Sequence, residues 1–227
     1  MRLLAIDTAL EACAAAVLDT EHRGALICRS LPMMRGHAEA LMPLVATVMS
    51  TSGMEFADLD RIAVTIGPGS FTGVRVGVAA ARGIALATGK AAVGVSTLAA
   101  LAAPYFDADE SRALLAAIDA RHDQVYMQLF GPGGRTVVPP RLASLRDAVR
   151  AAMTSPSRIV GNAAKLIEAA WPEHERRPML VSTVRAPDIG WVARLGAATE
   201  DIDSPVRPLY LREADAAPQQ AGILPRR

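Results

Sequence analysis

The stretch RIAVTIGPGSFTGVRVG, residues 61–77, joins a short apolar run to a glycine-rich loop and then to a nearly uncharged helix. What that loop does decides how the chain is read. A Walker A loop needs G-x-x-x-x-G-K-[ST], because its lysine and hydroxyl must reach phosphate and magnesium. No Gly-Lys follows here, and Gly89-Lys90 is followed by Ala91. A dinucleotide fingerprint needs G-x-G-x-x-G; Gly67 and Gly69 fit, but Gly73 comes one residue late. A nucleophile elbow needs G-x-S-x-G, whereas Ser70 sits in P-G-S-F-T. What remains is conformational. Gly67 and Gly69 allow backbone angles closed to other residues, Pro68 stiffens the turn, and Ser70 or Thr72 can cap the next helix. A tight strand-to-helix connection and an anion site at a helix N-terminus both stay open.

The helix read at 74–88 carries charge only at Arg75 and Arg82. Val76, Ala79, Ala80 and Gly83 line one side; Val78, Ala81, Ile84 and Ala85 line another. A helix apolar nearly all round is covered on more than one side. The second side belongs either to the core or to another subunit, whose helix could approach closely over the small residues.

Outward from this unit, residues 3–6, 12–18 and 25–31 read as three short strands in an antiparallel meander, apolar enough to be covered on both faces. Residues 36–53, GHAEALMPLVATVMSTSG, read as a helix with Ala38, Leu41, Met42, Val45, Val48 and Met49 at helical spacing and Gly53 as its stop. Pro43 predicts a kink or a late start, because its ring meets the carbonyl of Glu39. Strands at 61–66 and 92–95 and a short helix from Thr97 complete a β-β-β-α-β-α-β-α order, which is not the alternation of a Rossmann domain. The second half offers strands RALLAAIDA and QVYMQLFG, a helix SLRDAVRAAM, a strand SRIVG, and helices at 163–170 and 189–198. Both halves place strands first and helices afterwards, a faint sign of duplication. The expected division is a first α/β lobe at 1–104, a smaller second α/β lobe at 105–212, and a flexible tail at 213–227.

Bulk properties exclude several classes. With 227 residues, 51% hydrophobic and 21% charged, the chain can fill a core and is not disordered. A net charge of +1 supplies no field for holding a polyanion unaided. Cys13 and Cys28, the only cysteines, lie in apolar runs and read as buried free thiols of a reducing compartment. Asp7 interrupts the N-terminal apolar run too early for a signal peptide, and no stretch is long enough to span a membrane, so a cytoplasmic protein is expected.

Several of these segments together carry a resemblance. IGPGSFTGVRVG, the opening LLAIDTA, the helix start RGHAEALMP, the hairpin IDARHDQVY and the late PLYLR at 208–212 resemble the TsaB (YeaZ) family, over nearly the whole chain. The resemblance implies a two-lobe actin-like, sugar-kinase-like (ASKHA) ATPase fold with a reduced second lobe. It also implies a non-catalytic subunit that forms a heterodimer with TsaD, joined by the ATPase TsaE, to threonylcarbamoylate the tRNA adenosine beside the anticodon. ATP or ADP and a metal are then expected on the partner or at the shared interface, with none bound by this chain alone. Contact with tRNA would run through the complex, no membrane is involved, and self-pairing is an option for the isolated chain. The implied partner-binding residues are His37, Leu41, Leu44, Val76, Ala80 and Gly83. Asp7, Thr8, Gly67, Pro68, Gly69, Ser70, Thr72 and Gly73 form a loop that borders any nucleotide.

Residue by residue, the catalytic features of TsaD are degraded here. TsaD carries H-x-x-x-H, two metal-binding imidazoles one helical turn apart. Here His37 holds the first position and Leu41 the second, so no metal site is expected and His37 reads as a surface or capping residue. The hairpin Asp7-Thr8-Ala9-Leu10-Glu11 keeps the acid and hydroxyl but lacks glycine. Asp119-Ala120-Arg121-His122-Asp123 replaces glycines with bulky and charged residues, and Gly161-Asn162 resembles the remnant of an adenosine-binding loop. Two other classes stand against the accessory subunit. An autonomous ATP-dependent phosphotransferase of the same fold would use Asp7 and Asp119. A metalloprotease would need ligands that are not found, since no H-E-x-x-H occurs.

Overall fold

Three antiparallel strands open the chain: β1 (Arg2–Asp7), β2 (Ala12–Asp19) and β3 (Ala25–Pro32). The computed structural model describes residues 1–22, 25–106, 112–154, 157–200 and 204–212; the tail expected to be flexible, 213–227, lies outside them. After α1 (His37–Ser52), β4 (Arg61–Gly67) runs parallel to β1. After α2 (Phe71–Thr88), β5 (Ala91–Ser96) runs parallel to β4, and α3 (Thr97–Ala102) follows. The sheet order is β3-β2-β1-β4-β5.

The second half repeats this plan. Strands β6 (Ala113–Arg121), β7 (Gln124–Phe130) and β8 (Thr136–Ser144) form an antiparallel meander. Then α4 (Leu145–Met153), β9 (Ser157–Val160), α5 (Ala164–Ala169) and β10 (Leu180–Ser182) follow, with β9 parallel to β6 and β10 parallel to β9. The order β10-β9-β6-β7-β8 is the first sheet's order for the equivalent strands. The duplication is therefore a matter of topology.

Alternation along β1 and β2 covers both faces of the first sheet. Leu4, Ile6, Ala15 and Val17 pack with Leu41, Leu44, Val45 and Val48 of α1 and with Val74, Val78 and Ala81 of α2. Leu3, Ala5, Ala14 and Ala16 on the other face pack with Ile189, Val192 and Ala193 of the last helix, α6 (Ile189–Ala198). This corrects the lobe division. Residues 105–212 hold the whole second sheet, but α6 within that range returns to cover the first.

Local differences from the sequence reading have physical reasons. α1 runs through Pro43 without the late start, and both Glu39 and Pro43 are exposed, so water can satisfy the carbonyl that proline leaves without a donor. α2 starts three residues before the expected Val74, because Ser70 caps it by accepting from the Gly73 amide. β8 and β10 were not expected. β8 contains Pro139 and Pro140, tolerated because it is an edge strand paired only with β7, and β10 is three residues long.

Arg61 fixes α6 to the sheet. Its Nη1 donates to the carbonyl oxygens of Gly196, Ala197 and Thr199 at 2.9, 3.3 and 2.7 Å, placing a cation at the helix C-terminus. Replacing Arg61→Ala is expected to cost about 1–3 kcal/mol of stability, read as a lower urea midpoint with an unchanged slope. An unchanged midpoint would show that α6 docks through its apolar face alone.

Candidate functional site

β4 ends on Gly67, whose φ of +106° only glycine adopts readily, and the loop then turns onto the hairpin between β1 and β2. The Ser70 amide donates to the Ala9 carbonyl at 2.8 Å, and the Thr8 hydroxyl donates to the Gly73 carbonyl at 2.7 Å. These backbones touch. A Cβ at Gly69 would fall 2.3 Å from the Ala9 oxygen, and one at Gly73 would fall 2.1 Å from the Thr8 oxygen. One at Gly77, a turn further along α2, would fall 2.5 Å from the Thr8 hydroxyl oxygen. The glycines are therefore required by contact within the chain.

Asp7 lies beneath that contact and is fully buried. Its Oδ1 accepts from the Ala9 amide at 3.0 Å and from the Thr65 hydroxyl at 2.6 Å. Its buried Oδ2 has no hydrogen-bond partner among the described residues. Burial pushes the carboxyl above its ordinary value; the Thr65 and Ala9 bonds and the charge of His37 oppose this without cancelling it. His37 is itself buried, with Nε2 3.1 Å from the Leu10 carbonyl, which makes that nitrogen the protonated one. The expectation of a surface or capping histidine is thus corrected: it ties the start of α1 to the first hairpin.

The second lobe repeats part of this arrangement in a more exposed setting. Asp119 Oδ1 accepts from the amide two residues on, Arg121, at 2.7 Å, as Asp7 does from Ala9. The Asp119 amide donates to the Asn162 side chain at 2.8 Å. Gly161 follows β9 with φ +110°, close to the +106° of Gly67 at the end of β4, and a Cβ there would fall 2.1 Å from the Ala117 oxygen. The turn between β6 and β7 runs through Arg121, His122 and Asp123 at φ 63°, 54° and 55°, a left-handed stretch without glycine.

The residues expected to border a nucleotide separate by exposure. Asp7, Thr8, Gly67, Pro68 and Gly73 are buried, Gly69 is half-buried, and only Ser70 and Thr72 are exposed. Of the expected partner-binding residues, His37, Leu41 and Leu44 point into the protein's own core, which corrects their placement on an outer surface. Helical spacing puts them on the face that the sheet covers. Val76 and Ala80 are half-buried, and Gly83 is exposed with open space over it. Ala80 and Gly83 line an apolar groove of about 670 Å³ between α1 and α2, together with Met42, Phe56, Ile84 and Ala87. Met42 is 47% exposed. Met42 carried a sequence signal through its place in the helical pattern; Phe56, in the short turn after α1, carried none. Among the described residues no three His, Cys, Asp or Glu side chains gather to hold a metal ion, and no helix is long and apolar enough to cross a membrane.

Two sheets of the same order, each carrying at or near the end of its first strand an aspartate that accepts a backbone bond from two residues on, define a two-lobe protein of the actin-like, sugar-kinase-like (ASKHA) class. Comparison with known proteins narrows the class. A family model of TsaD, tRNA N6-adenosine threonylcarbamoyltransferase, matches residues 32–184. The tRNA threonylcarbamoyladenosine biosynthesis protein TsaB of Escherichia coli K12 is 40% identical over 126 residues, covering 56% of this chain and 53% of that protein. The chain thus spans about half the length of this relative. An uncharacterized protein of Mycobacterium tuberculosis is 35% identical over 218 residues, covering 95% and 94% of the two chains. The solved structure of YeaZ from Pseudomonas aeruginosa superposes with a TM-score of 0.74 at 26% identity, over 92% of this chain and 99% of that one. The chain belongs to the TsaB/YeaZ family.

Two consequences can be measured. Replacing Gly73→Ala drives a methyl into the Thr8 carbonyl and is expected to cost about 3 kcal/mol or more in urea unfolding; a loss below about 0.5 kcal/mol would contradict the contact. Asp7 is the second. With its folded pKa raised, the native state holds a proton that the unfolded chain has lost, so its contribution to stability is greatest at or below the unfolded pKa and declines as pH rises through the folded one. For Asp7→Asn, the stability difference from the parent should therefore shift in favour of the variant as pH rises from about 4. Parallel pH profiles would overturn this.

Proposed function

We propose that this protein is a non-catalytic accessory subunit that pairs with TsaD through the groove between α1 and α2, in the biosynthesis of threonylcarbamoyladenosine in tRNA. The observation that carries the reading is the loop-on-hairpin contact. In an ATPase of this fold, nucleotide phosphates need close backbone approach at this hairpin, and here Gly69 and Gly73 approach it instead. Asp7, the acid an autonomous phosphotransferase would use, is sealed beneath. On this reading the partner supplies the metal, the nucleotide and most of the contact with tRNA. The ATPase TsaE joins the pair, and the complex works in the cytoplasm. The chain keeps an apolar helix pair with small residues at its centre, the kind of face that another helix pair can approach closely. When TsaD is absent, the same face is available for a second copy of the chain.

Gly83→Glu separates this role from folding. Its Cβ would enter open space and glutamate favours helix over glycine, so the variant should stay folded while a charge occupies the groove. Light scattering of the protein mixed with TsaD from the same organism should show a one-to-one complex for the parent. Affinity should fall by about a hundredfold or more for Gly83→Glu. Calorimetric titration of the isolated chain with ATP should show no binding. Tight ATP binding, or pairing indifferent to Gly83→Glu, would sink the proposal.

A further inference from the structure

The sequence signature PLYLR, at 208–212, takes part in neither the groove nor the loop-on-hairpin contact. Its place in the fold is nonetheless specific. The Leu209 amide donates to the Ile66 carbonyl at 2.8 Å, beside the last residue of β4, and the Leu209 oxygen lies 3.3 Å from where a Gly67 Cβ would be. The next residue, Tyr210, accepts at its hydroxyl from Arg75 Nε at 2.9 Å. The Arg75 guanidinium sits 3.6 Å from the centre of the Phe71 ring, and the Phe71 and Tyr210 rings are 5.9 Å apart. These contacts all belong to the first lobe, at the glycine loop and the first turns of α2.

Two residues further on, the partners belong to the second lobe. Arg212 Nη2 donates to the Ala120 carbonyl at 3.2 Å and to Gln124 Oε1 at 2.5 Å. Ala120 and Gln124 bracket the left-handed turn Arg121-His122-Asp123. Residues with a Cβ hold three successive positive φ angles only where neighbouring contacts enforce them. Asp119 secures the turn from inside by accepting the Arg121 amide, and the Leu145 amide donates to the Asp123 carbonyl from the side of α4. Arg212 supplies the tie from the segment anchored on the first lobe.

We propose that residues 208–212 form an interlobe clamp. Leu209 and Tyr210 anchor on the glycine loop, and Arg212 holds the strained β6–β7 turn, so that the glycine loop of the first lobe and the hairpin turn of the second are fixed by one short segment. ATPases of a two-lobe fold work by moving the lobes about the cleft; the clamp holds this chain in one interlobe geometry and presents it as a rigid body. Arg212 is a positioning residue, and its action does not depend on any partner.

Hydrogen exchange of the isolated full chain tests this. In Arg212→Ala, amides of the β6–β7 turn at 120–124 are expected to exchange about tenfold faster, with a smaller acceleration at 66–70, while the central strands β1 and β6 keep the parent's protection. Gln124→Ala removes only one of the two acceptors and should give a smaller, about threefold, acceleration at the same turn, which keeps the test available if Arg212→Ala does not fold. Unchanged exchange at 120–124 in a folded variant would overturn the clamp. So would a uniform acceleration over the whole chain, because that is global destabilisation and not release of one contact.

Discussion

One contact organises this molecule: backbone against backbone between the glycine loop and the first hairpin. Ser70 donating to Ala9 and Thr8 donating to Gly73 bring together segments some sixty residues apart, at a distance that side chains would forbid. Because Thr8 and Ala9 are held there, Asp7 is sealed below them, His37 is drawn in to the Leu10 carbonyl, and α1 starts where it does. Because Ser70 and Gly73 are held there, α2 starts early and is aimed along the sheet beside α1. The apolar groove between the two helices follows from that placement. Asp7, Thr8, Gly69 and Gly73 all take part in this construction.

The two lobes show how far such a plan can drift within one chain. Gly67 and Gly161 close equivalent strands with nearly the same backbone angle, and Asp7 and Asp119 accept the same kind of backbone bond. Around the first aspartate the chain has closed over, so the carboxyl is buried and holds its proton more tightly. Around the second it has stayed open, and the turn beyond it has filled with an arginine, a histidine and an aspartate. The fold tolerates both outcomes because the sheet order, and not the hairpin chemistry, carries the core.

The sequence made the architecture legible where the signal is local. Apolar runs gave the three-strand meander, helical spacing gave α1 and α2, and motif spacing excluded the familiar phosphate loops. Three things were beyond it. The need for Gly69 and Gly73 comes from Thr8 and Ala9, and no periodicity links residues so far apart. The inward face of α1 cannot be told from its outward face when Leu41 and Met42 are neighbours of similar hydrophobicity, so the pattern does not separate His37, Leu41 and Leu44, which face the core, from Met42, which lines the groove. Pro139-Pro140 hid β8, since a proline pair argues against a strand unless that strand is known to lie at an edge.

The return of α6 has a consequence in time. Its residues Ile189, Val192 and Ala193 cover the face of the first sheet formed by Leu3, Ala5, Ala14 and Ala16, so β1 and β2 wait for a helix that is made after the whole second sheet. Until then that face of the sheet stands open to solvent. The second lobe lies between them in the chain and contains all of its own strands, so it can be complete earlier. Synthesis order and assembly order therefore run in opposite directions, and the lobe begun first is finished last.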